Sequence, residues 1–137
     1  VIHVGDFALT STQKVNEYRR QLKGNHIFLR GSHDKWLNYA DRRWEGKILR
    51  GTQTVVADHY PLWVWPKSHY GSWHVHGHVH GHMMPGWIHD GEHFMVWGKC
   101  CDVGVDSHNF YPVSEERLQL IMSTLPDNHN LLKEGRK

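Results

Sequence analysis

A strand, a helix and a second strand joined by short connections open this chain, and that order constrains the fold more than any other feature. Residues 1–8 read as a buried strand running into Gly5-Asp6. Thr10, Ser11 and Thr12 offer N-caps, and Val15, Tyr18 and Leu22 then recur at helical spacing up to Gly24-Asn25, a stop signal. Residues 26–29 predict a second short buried strand ending at Arg30-Gly31-Ser32-His33-Asp34. Such a unit implies parallel strands and a right-handed crossover. In parallel sheets functional groups gather beyond the carboxyl ends of the strands. Asp6 and His33-Asp34 are both expected there.

Residues 35–44 predict a short polar helix or turn. Strands over 46–50 and 52–58 follow, the second ending at Asp58-His59-Tyr60-Pro61, and Pro61 and Pro66 bracket the aromatic loop 62–65. A strand through His76, a loop from Gly77, a hairpin over 87–97 around Asp90-Gly91, and a strand over 100–106 come next. Ser114 is placed to cap a last helix with Glu115 and Glu116 in its first turn, where the dipole favours them. The expected division is one domain over 1–125 and a polar tail over 126–137 that frays.

The stretch 73–82, Trp-His-Val-His-Gly-His-Val-His-Gly-His, sets five imidazoles at alternate positions. A strand sends alternate side chains to one face, and neutral imidazole is the commonest metal ligand. A disordered His-rich tract or a purification tag would also give this composition. The run is internal, punctuated by Gly77 and Gly81, and flanked by Trp73 and Met83-Met84, which favours a metal site.

Bulk composition removes several function classes. At 137 residues, 39% hydrophobic and with 7 Trp, the chain is expected to fold as one globular domain. Its 16 Lys plus Arg against 14 Asp plus Glu give no electrostatic case for a nucleic-acid groove. No apolar run approaches a membrane span of about 18 residues, and no signal peptide is read. Cys100 and Cys101 are adjacent, so they read as reduced strand residues of a cytoplasmic protein. The chain opens on an apolar strand without Met, as expected if residues lie upstream.

Four strand ends now share metal-ligand side chains: Asp6, Ser32-His33-Asp34, His59, and His78 with His80. In this order they resemble the calcineurin-like metallophosphoesterases, whose blocks run Asp-x-His, Gly-Asp-x-x-Asp/Asn, Gly-Asn-His-Asp/Glu, a later His, and Gly-His-x-His. Here Gly5-Asp6, Gly31-Ser32-His33-Asp34, His59 and Gly77-His78-Val79-His80 match the last four. The flanking sequences are similar to small bacterial and phage-type members, and the resemblance spans roughly residues 1–120. It implies an α/β fold, an αββα sandwich of two mixed sheets flanked by helices, here without its N-terminal part. It further implies one or two divalent ions (Mn, Zn, Fe or Ni), with Asp6 as the bridge, His59 and His78 on the second metal and His80 on the first. Ser32 stands where the family has a ligand Asn. His33 would contact phosphate or act as general acid, with Asp34 orienting it and raising its basicity. Arg30 would lend charge to a substrate phosphate, or serve equally as a cap.

The expected activity is hydrolysis of a small phosphoester by metal-activated hydroxide, two cations about 3.5–4 Å apart stabilising attacking and leaving oxygens. The absent Asp-x-His block leaves three alternatives: a fragment, a site rebuilt from spare imidazoles such as His3, His74 or His76, or a weakened relative holding one metal. His74, His76 and His82 are expected in supporting roles, His76 nearest the site, and His3 as a buried, hydrogen-bonded residue. The many Trp residues are expected in the core more often than as a substrate platform, with Trp63, Trp65 and Trp73 sitting where a pocket wall would lie. The rival functions are a non-catalytic metal-binding pseudoenzyme or interaction module and, more weakly, a metal-dependent nuclease. A strand left uncovered by a missing first strand would offer an edge for a homo-oligomer.

Overall fold

The segments with strong apolar runs become strands, most of them shorter than the sequence predicts. The computed structural model describes residues 1–38 and 41–132. In chain order it contains β1 (Ile2–His3), α1 (Thr12–Gln21), β2 (Ile27–Phe28), β3 (Arg43–Ile48), β4 (Gln53–Asp58), β5 (Trp73–His76), β6 (Trp87–His89), β7 (Phe94–Val96), β8 (Cys100–Asp102) and α2 (Glu115–Thr124). Single 3-10 turns occupy Ser68–Tyr70 and Val105–Ser107. Among the described residues this is a mixed α/β fold with two helices and three sheets, none closed: β1-β2, β3-β4-β5-β8, and β6-β7.

β4 explains the main sheet. Its Val55-Val56-Ala57 run is apolar on both faces, as a strand covered on both sides requires. It pairs antiparallel with β3, six residues in register from Arg43↔Asp58 to Ile48↔Gln53, and parallel with β5, which in turn pairs parallel with β8. Alternation then sorts side chains between two cores. Val55, Ala57, Val75 and Cys101 join Leu29 from beyond β2 and Leu118 and Met122 of α2. Val56 and Cys100 point the other way, to Trp65 and Trp97. Leu118 and Met122 lie four apart on one helical face, and the Ser114 hydroxyl caps that helix by accepting from Arg117 N–H at 3.1 Å.

His74 and His76 lie in the aromatic layer on the Val56 side. Their rings fall between Trp65 and Trp97, with successive centroid separations of 5.3, 5.5 and 5.7 Å. His74 donates Nδ1–H to Val56 O at 2.9 Å and accepts Leu62 N–H on Nε2 at 3.0 Å. Burial pushes its pKa down to about 4 and lowers that of His76. Both imidazoles are buried core residues, His74 with both ring nitrogens hydrogen-bonded and His76 with its Nδ1 bonded to Gly77 O at 3.0 Å. The Trp73 ring also packs into the core and Trp65 is buried, in line with the core role expected of most tryptophans, while Trp63, 47% exposed, stacks on His129 at 4.7 Å.

The β1-α1-β2 unit is parallel as predicted, pairing Ile2↔Ile27 and His3↔Phe28. Its strands are shorter and wetter than expected. Gly5 (φ 100°) and Asp6 (φ 55°) turn left-handed and end β1, and Ile27 is 43% exposed. The Ser11 hydroxyl caps α1 by accepting from Lys14 N–H. His3 is part-buried and shares a hydrogen bond with His26 (Nε2···Nδ1 2.9 Å). The polar stretch 35–44 forms turns and then enters β3 at Arg43; its residues 39 and 40 lie outside the described residues. β8 stops at Asp102 because that carboxylate turns to accept Gly104 N–H at 2.7 Å.

The tail was expected to fray, and through residue 132 it does not. Asn128 is 4% exposed and gives Nδ2–H to Ser68 O (2.6 Å) and Ser72 O (3.1 Å) while its Oδ1 accepts Lys99 N–H (2.8 Å). A polar residue docks here because its one amide meets three main-chain groups at once. No helix among the described residues is long and apolar enough to cross a membrane.

Candidate metal centre

Three strand ends meet at one rim. After β1, Gly5 brings the chain so near that a Cβ there would collide with His59 Nδ1 and the Gly31 backbone. The same closeness holds on the other side, where a Cβ on Gly31 would strike Asp6. The Asp6 carboxylate is thereby presented between two loops. Its Oδ1 accepts His33 N–H at 2.7 Å, and its Oδ2 accepts the Ser32 hydroxyl at 3.3 Å.

His59, directly after β4, is 1% exposed. Its Nδ1 lies 2.9 Å from Val4 O, and a carbonyl only accepts, so Nδ1 carries a proton, and in the neutral ring the lone pair is then on Nε2. That Nε2 is buried, has no hydrogen-bond partner among the described residues, and lies 3.5 Å from Asp6 Oδ2. Buried polar atoms are nearly always paired. A neutral imidazole whose far nitrogen is pinned by a carbonyl is the usual posture of a metal-binding histidine. His78, two residues beyond β5 and left-handed at φ 68°, sets its ring edge-on to His59 at 5.0 Å and to Tyr60 at 4.6 Å. One ligand atom each from Asp6, His59 and His78 lies within 4.8 Å of the others. The donor set, two imidazoles and a carboxylate, suits Mn, Zn, Fe or Ni.

The remaining predicted residues fall around this triad. Ser32 touches Asp6 as a hydroxyl donor. His33 is exposed, and only its backbone N–H is engaged there. Asp34, expected to orient the His33 ring, does not touch it. Its carboxylate is 1% exposed and accepts from Asp6 N, Phe7 N, Gly31 N and Trp36 Nε1. Backbone amides of the two loops reach that carboxylate first. Arg30 gives its guanidinium to Asn38 O at 3.4 Å, a contact of its own loop.

His80 is not brought into the triad. It turns left-handed (φ 51°) and its Nδ1 bonds Asp106 Oδ2. That bond and the Asp106 charge raise its pKa, with Asp6 adding a smaller contribution from the same rim. Asp102 Oδ2 meanwhile holds Gly81 N–H at 2.8 Å and so fixes where the loop runs. No family, curated protein or solved structure gives a significant match to this chain. His76, expected nearest the site, instead bonds Gly77 O from within the core, and His82 is exposed.

Sequence reasoning missed Asp102, Asp106 and Tyr60. The first two had a signal, a carboxylate at a strand end and another four residues on. Tyr60 also lines an open groove of about 600 Å³ with Asp41, Arg42, Arg43, Glu45, Asp58 and Leu62. Arg43 and Asp58 are paired there at 3.0 Å, and Arg42 O accepts His59 N–H at 3.2 Å, so the groove shares its framework with the triad.

Proposed function

We propose that this chain is a metal-dependent phosphoester hydrolase of the calcineurin-like metallophosphoesterase kind, its metal held by Asp6, His59 and His78. The observation that carries the reading is the buried Nε2 of His59, without a hydrogen-bond partner among the described residues and 3.5 Å from the Asp6 carboxylate. A divalent ion there would supply charge for a phosphoryl oxygen and an acidified water for hydrolysis. The protein's own part is positional. Val4 O fixes the His59 tautomer, the His33 amide and Ser32 hydroxyl orient Asp6, and the groove beside Tyr60 offers room for a small alcohol group. His33, exposed beside Asp6, would contact the phosphate or the leaving oxygen. On this reading the sheets belong to an αββα sandwich, and the free, buried Cys100 and Cys101 suit a cytoplasmic setting.

One observation favours a second reading, a metal-binding module without catalysis: His80 is engaged by Asp106, which leaves, among the described residues, one triad of candidate ligands for one metal. Metal content per chain, measured with hydrolysis of an aryl phosphodiester before and after chelation, separates the two. The hydrolase reading expects turnover that needs Mn²⁺, Zn²⁺, Fe²⁺ or Ni²⁺ and disappears in Asp6→Asn and His78→Ala. Stoichiometric metal without turnover supports the second reading, and turnover unaffected by those substitutions contradicts the first.

A further inference from the structure

We infer that Asp34 is a positioning residue for the ligand Asp6, and that it sets cation affinity through the backbone of the Gly5-Asp6 loop and not through the His33 ring. The inference rests on reading Asp6, His59 and His78 as a cation centre.

Two loops exchange carboxylates at this point. Asp34, in the loop after β2, takes the amides of Asp6 (2.6 Å) and Phe7 (3.0 Å) from the loop after β1. Asp6 returns the contact by taking the amide of His33 at 2.7 Å. Each loop therefore holds the other's functional side chain in place by main-chain bonds. The left-handed φ of 55° at Asp6 is unfavourable for a residue with a Cβ and persists only where surrounding contacts enforce it. Asp34 supplies that enforcement from a site that is 1% exposed.

A carboxylate in so dry a place needs every lone pair met. Oδ2 accepts Asp6 N and Gly31 N (2.8 Å), and Oδ1 accepts Phe7 N and Trp36 Nε1 (3.0 Å). Only a carboxylate can accept on both sides. An amide in its place would turn an NH₂ group toward one of the two donor pairs. Trp36 anchors the arrangement from behind, its ring packed edge-on against Phe28 at 5.6 Å and Phe7 at 6.1 Å. The clamp thus runs from an aromatic cluster, through Asp34, to the backbone of the ligand.

Mn²⁺ binding to the full chain, read from the free-ion paramagnetic resonance signal, tests this with four proteins checked for folding by circular dichroism. Asp34→Asn is expected to weaken Mn²⁺ binding by about 10–100-fold, the usual effect of removing a residue that orients a ligand. Trp36→Phe, which deletes one donor and keeps the ring, is expected to weaken it by about threefold, and it carries the test should Asp34→Asn not fold. Met122→Ala, a core truncation beneath α2, lowers the melting temperature and is expected to leave affinity within about twofold, since distant sites act independently. At saturating Mn²⁺ the pH profile of aryl phosphodiester hydrolysis is expected to keep its midpoint in Asp34→Asn. Wild-type affinity in folded Asp34→Asn and Trp36→Phe would overturn the inference, as would a shifted midpoint, which would return Asp34 to the His33 ring. No Mn²⁺ uptake by the wild type would overturn the cation centre itself, a different result from equal uptake by all four chains.

Discussion

His74 and His59 are both buried, both follow or lie in a strand of the main sheet, and both donate Nδ1–H to a main-chain carbonyl at 2.9 Å. They differ at the other nitrogen. Nε2 of His74 accepts Leu62 N–H, whereas Nε2 of His59 has no hydrogen-bond partner among the described residues and lies 3.5 Å from a carboxylate oxygen. The comparison teaches that residue type and burial alone do not mark a candidate ligand; a free ring nitrogen beside a carboxylate does. It also divides the histidine-rich stretch. Its strand half, with His74 and His76, builds the core, whereas its loop half delivers His78 to the rim.

Removing each imidazole should break the comparison most sharply. His59→Ala is expected to lose about 100-fold or more in cation affinity, a ligand being worth more than the outer partners that cost about 10–100-fold. His74→Ala is expected to keep the centre's chemistry in whatever fraction folds, but to lose about 2–4 kcal/mol of stability through a core cavity and stranded Val56 and Leu62 groups. Titration calorimetry and urea unfolding on the same two proteins check both statements. Two proteins with the same phenotype would remove the distinction.

Acid should act on the His74 side. An imidazole whose folded pKa is about 4 against an ordinary 6.5 is held neutral by burial. The unfolded chain binds the extra proton first, so the stability this group contributes is full above pH 6.5. It is lost as pH falls toward 4, by an amount on the order of 3 kcal/mol. Urea midpoints at pH 7 and pH 4.5 measure the loss, and His74→Gln is expected to flatten it. His3, also lowered to about 4 by burial and by His26, adds in the same direction but is only part-buried, so its share is smaller.

Cation should act on the His59 side. At about a hundredfold excess over its dissociation constant it is expected to stabilise the wild-type fold by about 2.7 kcal/mol, seen as a raised melting temperature, with no shift in His59→Ala. The smallest effect is expected at His80. As an exposed residue engaged by Asp106, His80→Ala should change cation affinity by no more than about twofold, the scale of a surface substitution. A tenfold loss would place His80 among the ligands after all.

Much of this was legible in the sequence because it depends on local rules. The end of β5 at His76 before Gly77, the β6-β7 hairpin around Asp90-Gly91, and the Ser11 and Ser114 caps each follow from a few neighbouring residues. The expected grouping of Asp6, His59 and His78 came from strand ends carrying metal-binding residue types together with the family resemblance, and the three do come together in space. What was not legible depends on partners far along the chain. His80 was expected beside His78, but Asp106, 26 residues on, takes it. Asp34 was paired with its neighbour His33, yet its partners include amides 27 and 28 residues back. The docking of Asn128 onto carbonyls of residues 68 and 72 has no local signal at all. Side-chain alternation places a residue on a face, whereas the hydrogen-bond donor that reaches it is chosen by the whole fold.

The central claim concerns one lone pair, and the imidazole nitrogens can be read one by one. Long-range ¹H–¹⁵N spectra of the histidine rings, recorded during a Zn²⁺ titration at pH 7, address it directly. The expected result is a change at Nε2 of His59, together with one ring nitrogen of His78, while both nitrogens of His74 stay where they were. An unchanged His59 Nε2 at saturating Zn²⁺, or a change at His74 instead, would contradict it.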